Sequence, residues 1–119
     1  MEEYKRWEIL LAWMPSSDDE PPPYPHYCVY LGLSPKYPGK IIVLGITSDL
    51  SRRVPGYSTD LPWKAGKHPI TGLDRPSLAQ ALWIKHIAPA LVTKVTGFVE
   101  PREQLSIAVC IDRRIKENK

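Results

Sequence analysis

A chain of 119 residues with a 43% apolar composition has the length of one domain, and on folding it hides roughly two thirds of the surface its unfolded form exposes, enough for a hydrophobic core. The formal charge of +3 conceals an asymmetry: the first twenty residues hold six of the 13 acids but only Lys5 and Arg6 of the 16 bases, leaving 14 bases against seven acids beyond them. That balance is compatible with phosphate-bearing partners, and two cysteines without metal-like spacing, no signal peptide and no membrane span read as a reduced, intracellular protein with no membrane association.

Tyr4, Trp7, Leu11 and Met14 recur at helical intervals, which predicts an amphipathic helix over residues 3–14, while the apolar run Ile9–Trp13 serves equally well as a strand added to a sheet. Residues 15–25, PSSDDEPPPYP, combine proline with acid and read as a stiff exposed linker or, on the sharper view, a proline-rich ligand for an aromatic groove. The chain therefore divides into an N-terminal segment 1–14, a linker 15–25 and one domain over 26–119. Tyr27–Leu31 alternates as a strand with Tyr27, Val29 and Leu31 on one face, and Gly32 ends it or marks a bulge. The turn at Pro38-Gly39 joins it to Ile41–Leu44 as an antiparallel hairpin, and that second, β-branched run is expected to be covered on both faces. Gly45 is read as a sharp turn into a short helix, with Thr47 or Ser48 as cap, Asp49 in the first turn and Pro55 ending it. Leu50 and Val54 should then face the same core as Leu78 and Leu82. Residues 58–72 read only as loop. Pro76-Ser77 opens a predicted buried helix carrying Leu78, Ala81, Leu82 and Lys85 on one face, stopped by Pro89. Residues 90–99 are apolar and β-branched with a bend at Gly97. The close of the chain suits a helix by its charge placement, Glu103 early and Arg113, Arg114 and Lys116 late, although Leu105, Ile107, Val109 and Ile111 alternate like a strand.

Cys28-Val29-Tyr30, a turn, and then Val43-Leu44-Gly45-Ile46-Thr47-Ser48-Asp49-Leu50-Ser51-Arg52-Arg53 resemble the opening of a GIY-YIG nuclease domain over roughly residues 27–92. The resemblance implies an α/β (α+β) fold, a small antiparallel sheet with flanking helices. It implies a catalytic set of Tyr30, Arg53, Tyr57 and, in the metal-ligand position of a second helix, Gln80 from Gln80-Ala81-Leu82-Trp83-Ile84-Lys85. Two family groups are missing, because Val43 stands at the second-motif tyrosine and Gln80 offers an amide in place of a carboxylate. A metal at such a site stabilises the leaving oxygen, so useful cleavage is not expected. Glu100 or Glu103 as a displaced ligand competes with a plain helix-start role.

Among other polar candidates, Arg52 and Arg53 either clamp a phosphate or solvate a helix face. Trp63, beside Lys64 and close to Lys67, either stacks a base or plugs the core edge. His26, His68 and His86 lack ligand-like spacing and read as structural or exposed. The favoured expectation is a non-catalytic GIY-YIG-like module with no cofactor and no metal, binding DNA, RNA or a nucleic-acid-processing protein through Arg52, Arg53, Trp63, Lys64 and Lys67. The alternatives are a magnesium- or manganese-dependent endonuclease whose ligand glutamate is replaced by Gln80, and an inhibitor or adaptor working through protein contacts.

Overall fold

Every strand pairing among the described residues is antiparallel, and the strands alternate apolar residues between two buried faces. The structure, a computed structural model, describes residues 4–117. Six strands, β1 (Glu8–Ala12), β2 (His26–Leu33), β3 (Ile41–Thr47), β4 (Ser58–Leu61), β5 (Ser77–Ile87) and β6 (Val92–Phe98), are followed by one helix, α1 (Pro101–Glu117). Single 3-10 turns sit at Leu50–Arg52 and Pro89–Leu91. The sheet runs in the order β4-β5-β3-β2-β1-β6. No helix among the described residues is long and apolar enough to cross a membrane.

The hairpin expected from Pro38-Gly39 is present, with Tyr30 opposite Val43 and Leu33 opposite Ile41, and the register slips at Gly32 as a bulge. Of the two forms open to the N-terminal segment, the strand is adopted: β1 lies between β2 and β6, with Ile9 opposite Val29. Residue 3 of the rival helix lies outside the described residues. Ile9, Val29, Leu44, Ile46, Ala79 and Ala81 form one face, closed by Leu61, Leu73, Val99 and by Ile107 and Cys110 of α1. Leu10, Ala12, Met14, Cys28, Tyr30, Ile41, Val43 and Ile87 form the other. Fully buried aliphatic side chains of this kind contribute about 1.5–3 kcal/mol each, so the two-sided burial of β2 and β3 fixes their register strongly. The closing segment is helical as its charges imply, with Glu103 in the first turn and Arg114 and Lys116 in the last.

The largest departure from expectation is Ser77–Ile87, predicted as a helix and found as the longest strand. Alanine, leucine and glutamine favour helix in isolation. Here Ser77–Ala81 is buried throughout, because β3 lies along one edge of β5 and β4 along the other. A run covered on all sides carries no period, so helix and strand look alike in sequence, and tertiary pairing decides. β4 itself lies in the stretch read as loop; its four residues buy no local signal and exist by pairing Ser58–Leu61 with Gln80–Ser77.

Around Gly45 the correction is equally direct. The chain does not turn there; β3 continues to Thr47, and the expected helix over 49–54 shrinks to one 3-10 turn capped by Asp49, whose side chain accepts from the Ser51 amide. Leu50 and Leu82 do not share a core with Leu78: each is 42% exposed, whereas Leu78 is fully buried. Gly45 is needed for space, since a Cβ would collide with the Trp83 ring. The reason lies in β5, where Ile46 opposes Ala79 but Leu44 opposes Ile84. Four residues, Gln80–Trp83, therefore bulge out opposite Gly45 alone, and a bulge of this kind re-aims the side chains it carries.

Candidate functional site

The bulge opens a cleft of about 750 Å³ at the ends of three strands: the start of β2, the end of β3 and the start of β5. Each wall has a local cause. Tyr24, Pro25 and His26 deliver the chain into β2; Thr47, Ser48 and Asp49 carry β3 into the 3-10 turn that presents Arg52; Asp74 and Arg75 lead into β5; and Gln80, Leu82 and Trp83 come from the bulge.

His26 is the central titratable group. Its ring lies 4.8 Å from that of Tyr24 and 5.2 Å, edge-on, from that of Trp83, and Trp83 is held in turn by Nε1 donating to the Pro15 carbonyl at 2.8 Å. Half-burial between these rings disfavours the imidazolium and pulls the His26 pKa below the ordinary 6.5. Two arginines share the cleft. Arg52 Nε lies 3.5 Å from Asp49, and Arg75 Nε donates to Asp74 at 3.1 Å, with both arginine side chains about two-thirds exposed. Such exposed neighbours hold an arginine only weakly, so both guanidinium groups are available to an entering anion. The Ser51 hydroxyl and amide, together with Arg52, lower the Asp49 pKa from its ordinary value. Ser16, Ser17, Tyr24 and Pro25 of the segment 15–25 line the rim, and Lys85 Nζ reaches Asp19 at 2.5 Å and the Ser17 carbonyl at 3.3 Å.

The residues singled out from sequence scatter around this cleft. Arg52 and Gln80 line it. Gln80 is buried, its Nε2 donating to the Arg52 carbonyl at 2.9 Å and its Oε1 accepting from the Leu82 amide at 3.4 Å, so its amide shapes the wall that presents Arg52. Arg53 turns away to a bidentate pair with Asp60 at 2.6 and 2.8 Å. Tyr57 packs on the core edge and its hydroxyl donates to Glu117 of α1. Tyr30 is fully buried with Val43 in the opposite core, edge-on to Tyr4. Trp63 is 46% exposed, and Lys64 and Lys67 are exposed beside it in a loop tied to the cleft wall by the Lys64 amide bonding the Leu73 carbonyl. Glu100 and Glu103 stand at the start of α1. His68 Nδ1 accepts from the Ile70 and Thr71 amides and braces its own loop. Among the described residues no three His, Cys, Asp or Glu side chains gather as a metal-binding group.

His26, Thr47, Ser48, Arg75, Tyr24 and Trp83 escaped the sequence reading as a site. Thr47-Ser48 looked like a helix cap, and nothing in the linear order brings His26 next to Arg75. The available signal was weak: an aromatic-proline run, YPHY, entering a strand.

A scan against protein-family models finds no match, and a search of curated proteins finds none either. Among solved structures, an endoribonuclease in complex with its cognate antitoxin from Mycobacterial species superposes with a TM-score of 0.67 at 10% identity, covering 95% of each chain. The Mycobacterium tuberculosis toxin MazF-mt6 superposes with a TM-score of 0.64 at 17% identity, covering 92% of this chain and 96% of its own. At such identities the likeness establishes a MazF-type fold and nothing finer. It overturns the GIY-YIG resemblance, whose second helix is here the strand β5 and whose basic helix is a single 3-10 turn. The non-catalytic GIY-YIG binding module falls with it, as does the metal-dependent GIY-YIG endonuclease with Gln80 in the ligand position; the fold likeness lends no support to the inhibitor or adaptor reading.

Proposed function

We propose that this chain is an endoribonuclease of the toxin kind, cutting RNA in the cleft between β2, β3 and β5. The observation that carries the reading is a half-buried imidazole with a lowered pKa sharing one cleft with two weakly held arginines. It stands beside a fold whose solved neighbours are named as an endoribonuclease and a toxin. RNA carries its own nucleophile, the 2′-hydroxyl. Neutral His26 takes the proton of that hydroxyl as general base, O2′ bonds to the adjacent phosphorus, and the P–O5′ bond breaks. The imidazolium so formed returns its proton to the departing O5′. The products are a 2′,3′-cyclic phosphate and a 5′-hydroxyl. Arg52 and Arg75 neutralise the charge that gathers on the non-bridging oxygens, and Thr47 and Ser48 supply hydroxyls for positioning. Tyr24 and Trp83 offer aromatic surface for bases flanking the cut, and strand leaving the cleft past Leu73 meets Trp63, Lys64 and Lys67. The cognate antitoxin of one neighbour supports a protein partner for this chain as well.

The test is a fluorogenic RNA oligonucleotide incubated in EDTA and in magnesium, with DNA of the same sequence alongside. RNA cleavage in EDTA leaving cyclic phosphate ends, intact DNA, and a loss of about 10²–10⁴-fold in His26→Ala are expected. Equal cleavage of DNA, or full activity in His26→Ala, refutes the reading.

A further inference from the structure

At the far end of the β2–β3 hairpin lies a second basic and aromatic feature that the cleft does not use. Lys36 Nζ and Lys40 Nζ sit 5.3 and 5.5 Å from the centroid of the same ring, Tyr37. Neither lysine takes part in an ion pair among the described residues. Tyr37 is 42% exposed, yet its position is built. Its amide donates to Ser34 Oγ at 2.9 Å, Ser34 Oγ bonds His86 Nδ1 at 2.7 Å, and the His86 ring meets the tyrosine edge-on at 5.2 Å. Ser34 is only 9% exposed. The tip is closed by Ser34 N to Lys40 O and Lys40 N to Tyr37 O, with Gly39 at φ +82° taking the left-handed corner.

We infer that this tip is a second binding site for single-stranded RNA, an anchor for strand that extends beyond the cleft; the inference rests on the endoribonuclease reading. Two ammonium groups crowded on one ring, with no carboxylate pairing them among the described residues, form a site for phosphate. An exposed cation over an aromatic ring is weakly held, so a base that stacks on Tyr37 displaces a lysine from the ring face and frees it for the adjoining phosphodiester. A nucleotide supplies both components, whereas an acidic peptide supplies only charge. The tip stands apart from the cleft by the length of β2, whose eight residues span roughly 23 Å at about 3.3 Å per residue, so short RNA fills the cleft alone and longer RNA engages both.

Binding is measured with 2′-O-methyl RNA of three and sixteen nucleotides, which lacks the nucleophile, across a salt series. In Lys36→Gln/Lys40→Gln the sixteen-mer should bind about 25-fold more weakly at 0.1 M salt, and its log-log salt slope should fall by about 1.4, from two phosphate contacts at about 0.7 each. The three-mer should be unchanged, and Lys36→Arg/Lys40→Arg should restore the sixteen-mer. Tyr37→Leu should weaken the sixteen-mer without changing its slope. Equal weakening of both lengths, or an unaffected sixteen-mer, overturns the anchor while leaving the cleft intact. Polyglutamate competing at the tip as well as RNA does also overturns it in favour of an acidic protein. If the unmodified chain binds neither RNA, the anchor and the endoribonuclease reading fall together.

Discussion

Gly45→Ala probes the coupling between the sheet and the cleft. A methyl group at this position overlaps three atoms of the Trp83 ring, while the backbone there is ordinary strand that alanine tolerates. The cost is therefore overpacking, about 1–3 kcal/mol. For a chain of this size that is roughly 3–6 °C of Tm per kcal/mol, between the ranges for smaller and larger domains. Trp83 can yield only by leaving the ring of His26 and the Pro15 carbonyl, so the same substitution should loosen the cage around the imidazole. Trp83→Leu removes the obstruction. In a double-mutant cycle read by urea denaturation, Gly45→Ala should cost clearly less in the Trp83→Leu background than alone, a non-additivity of about 1 kcal/mol or more. A neutral Gly45→Ala, or two effects that simply add, would refute the claim that glycine is required to seat the tryptophan.

The pH dependence of cleavage follows from His26. With its folded pKa below 6.5, the neutral base persists into mildly acidic solution, so the acid limb of kcat/KM should have its midpoint below 6.5, and Trp83→Leu should move it upward. A midpoint at or above 6.5 in the unmodified chain contradicts the caged imidazole. The same shift has a stability consequence: the unfolded state binds the proton more readily, so the His26 contribution is fully present above about pH 6.5 and is lost as pH falls through the folded pKa. Gln80→Glu replaces the donor to the Arg52 carbonyl with an acceptor inside a buried wall, and chemical denaturation should register a loss of about 1–3 kcal/mol. Unchanged stability would mean that the amide does not hold the Arg52 turn.

What the sequence determined by itself is what neighbours along the chain determine. The β2–β3 hairpin follows from alternating strand residues on either side of Pro38-Gly39, and the sidedness of Val29 against Cys28 and Tyr30 is written in a two-residue period. For α1, as for β1, the sequence allowed two forms: charge placement at both ends suits the helix that is found, while Leu105, Ile107, Val109 and Ile111 also alternate like a strand, and β1 was one of two forms that its short apolar run allowed. Tertiary structure decided everything that depends on pairing across long separations. Ser77–Ile87 has helix-forming residues and becomes a strand because β3 pairs along it and β4 takes the other edge of its first part, Ser77–Gln80, and Ser58–Leu61 has no signal until β5 lies beside it. The motif-like order Gly45 to Arg53 looked like a turn into a helix, whereas Gly45 answers to Trp83, 38 positions away in the chain. The cleft belongs to the same class: His26, Thr47, Arg52 and Arg75 meet only because strands β2, β3 and β5 end together. A linear pattern records local backbone preference and burial period, but it does not record which strand end stands beside which.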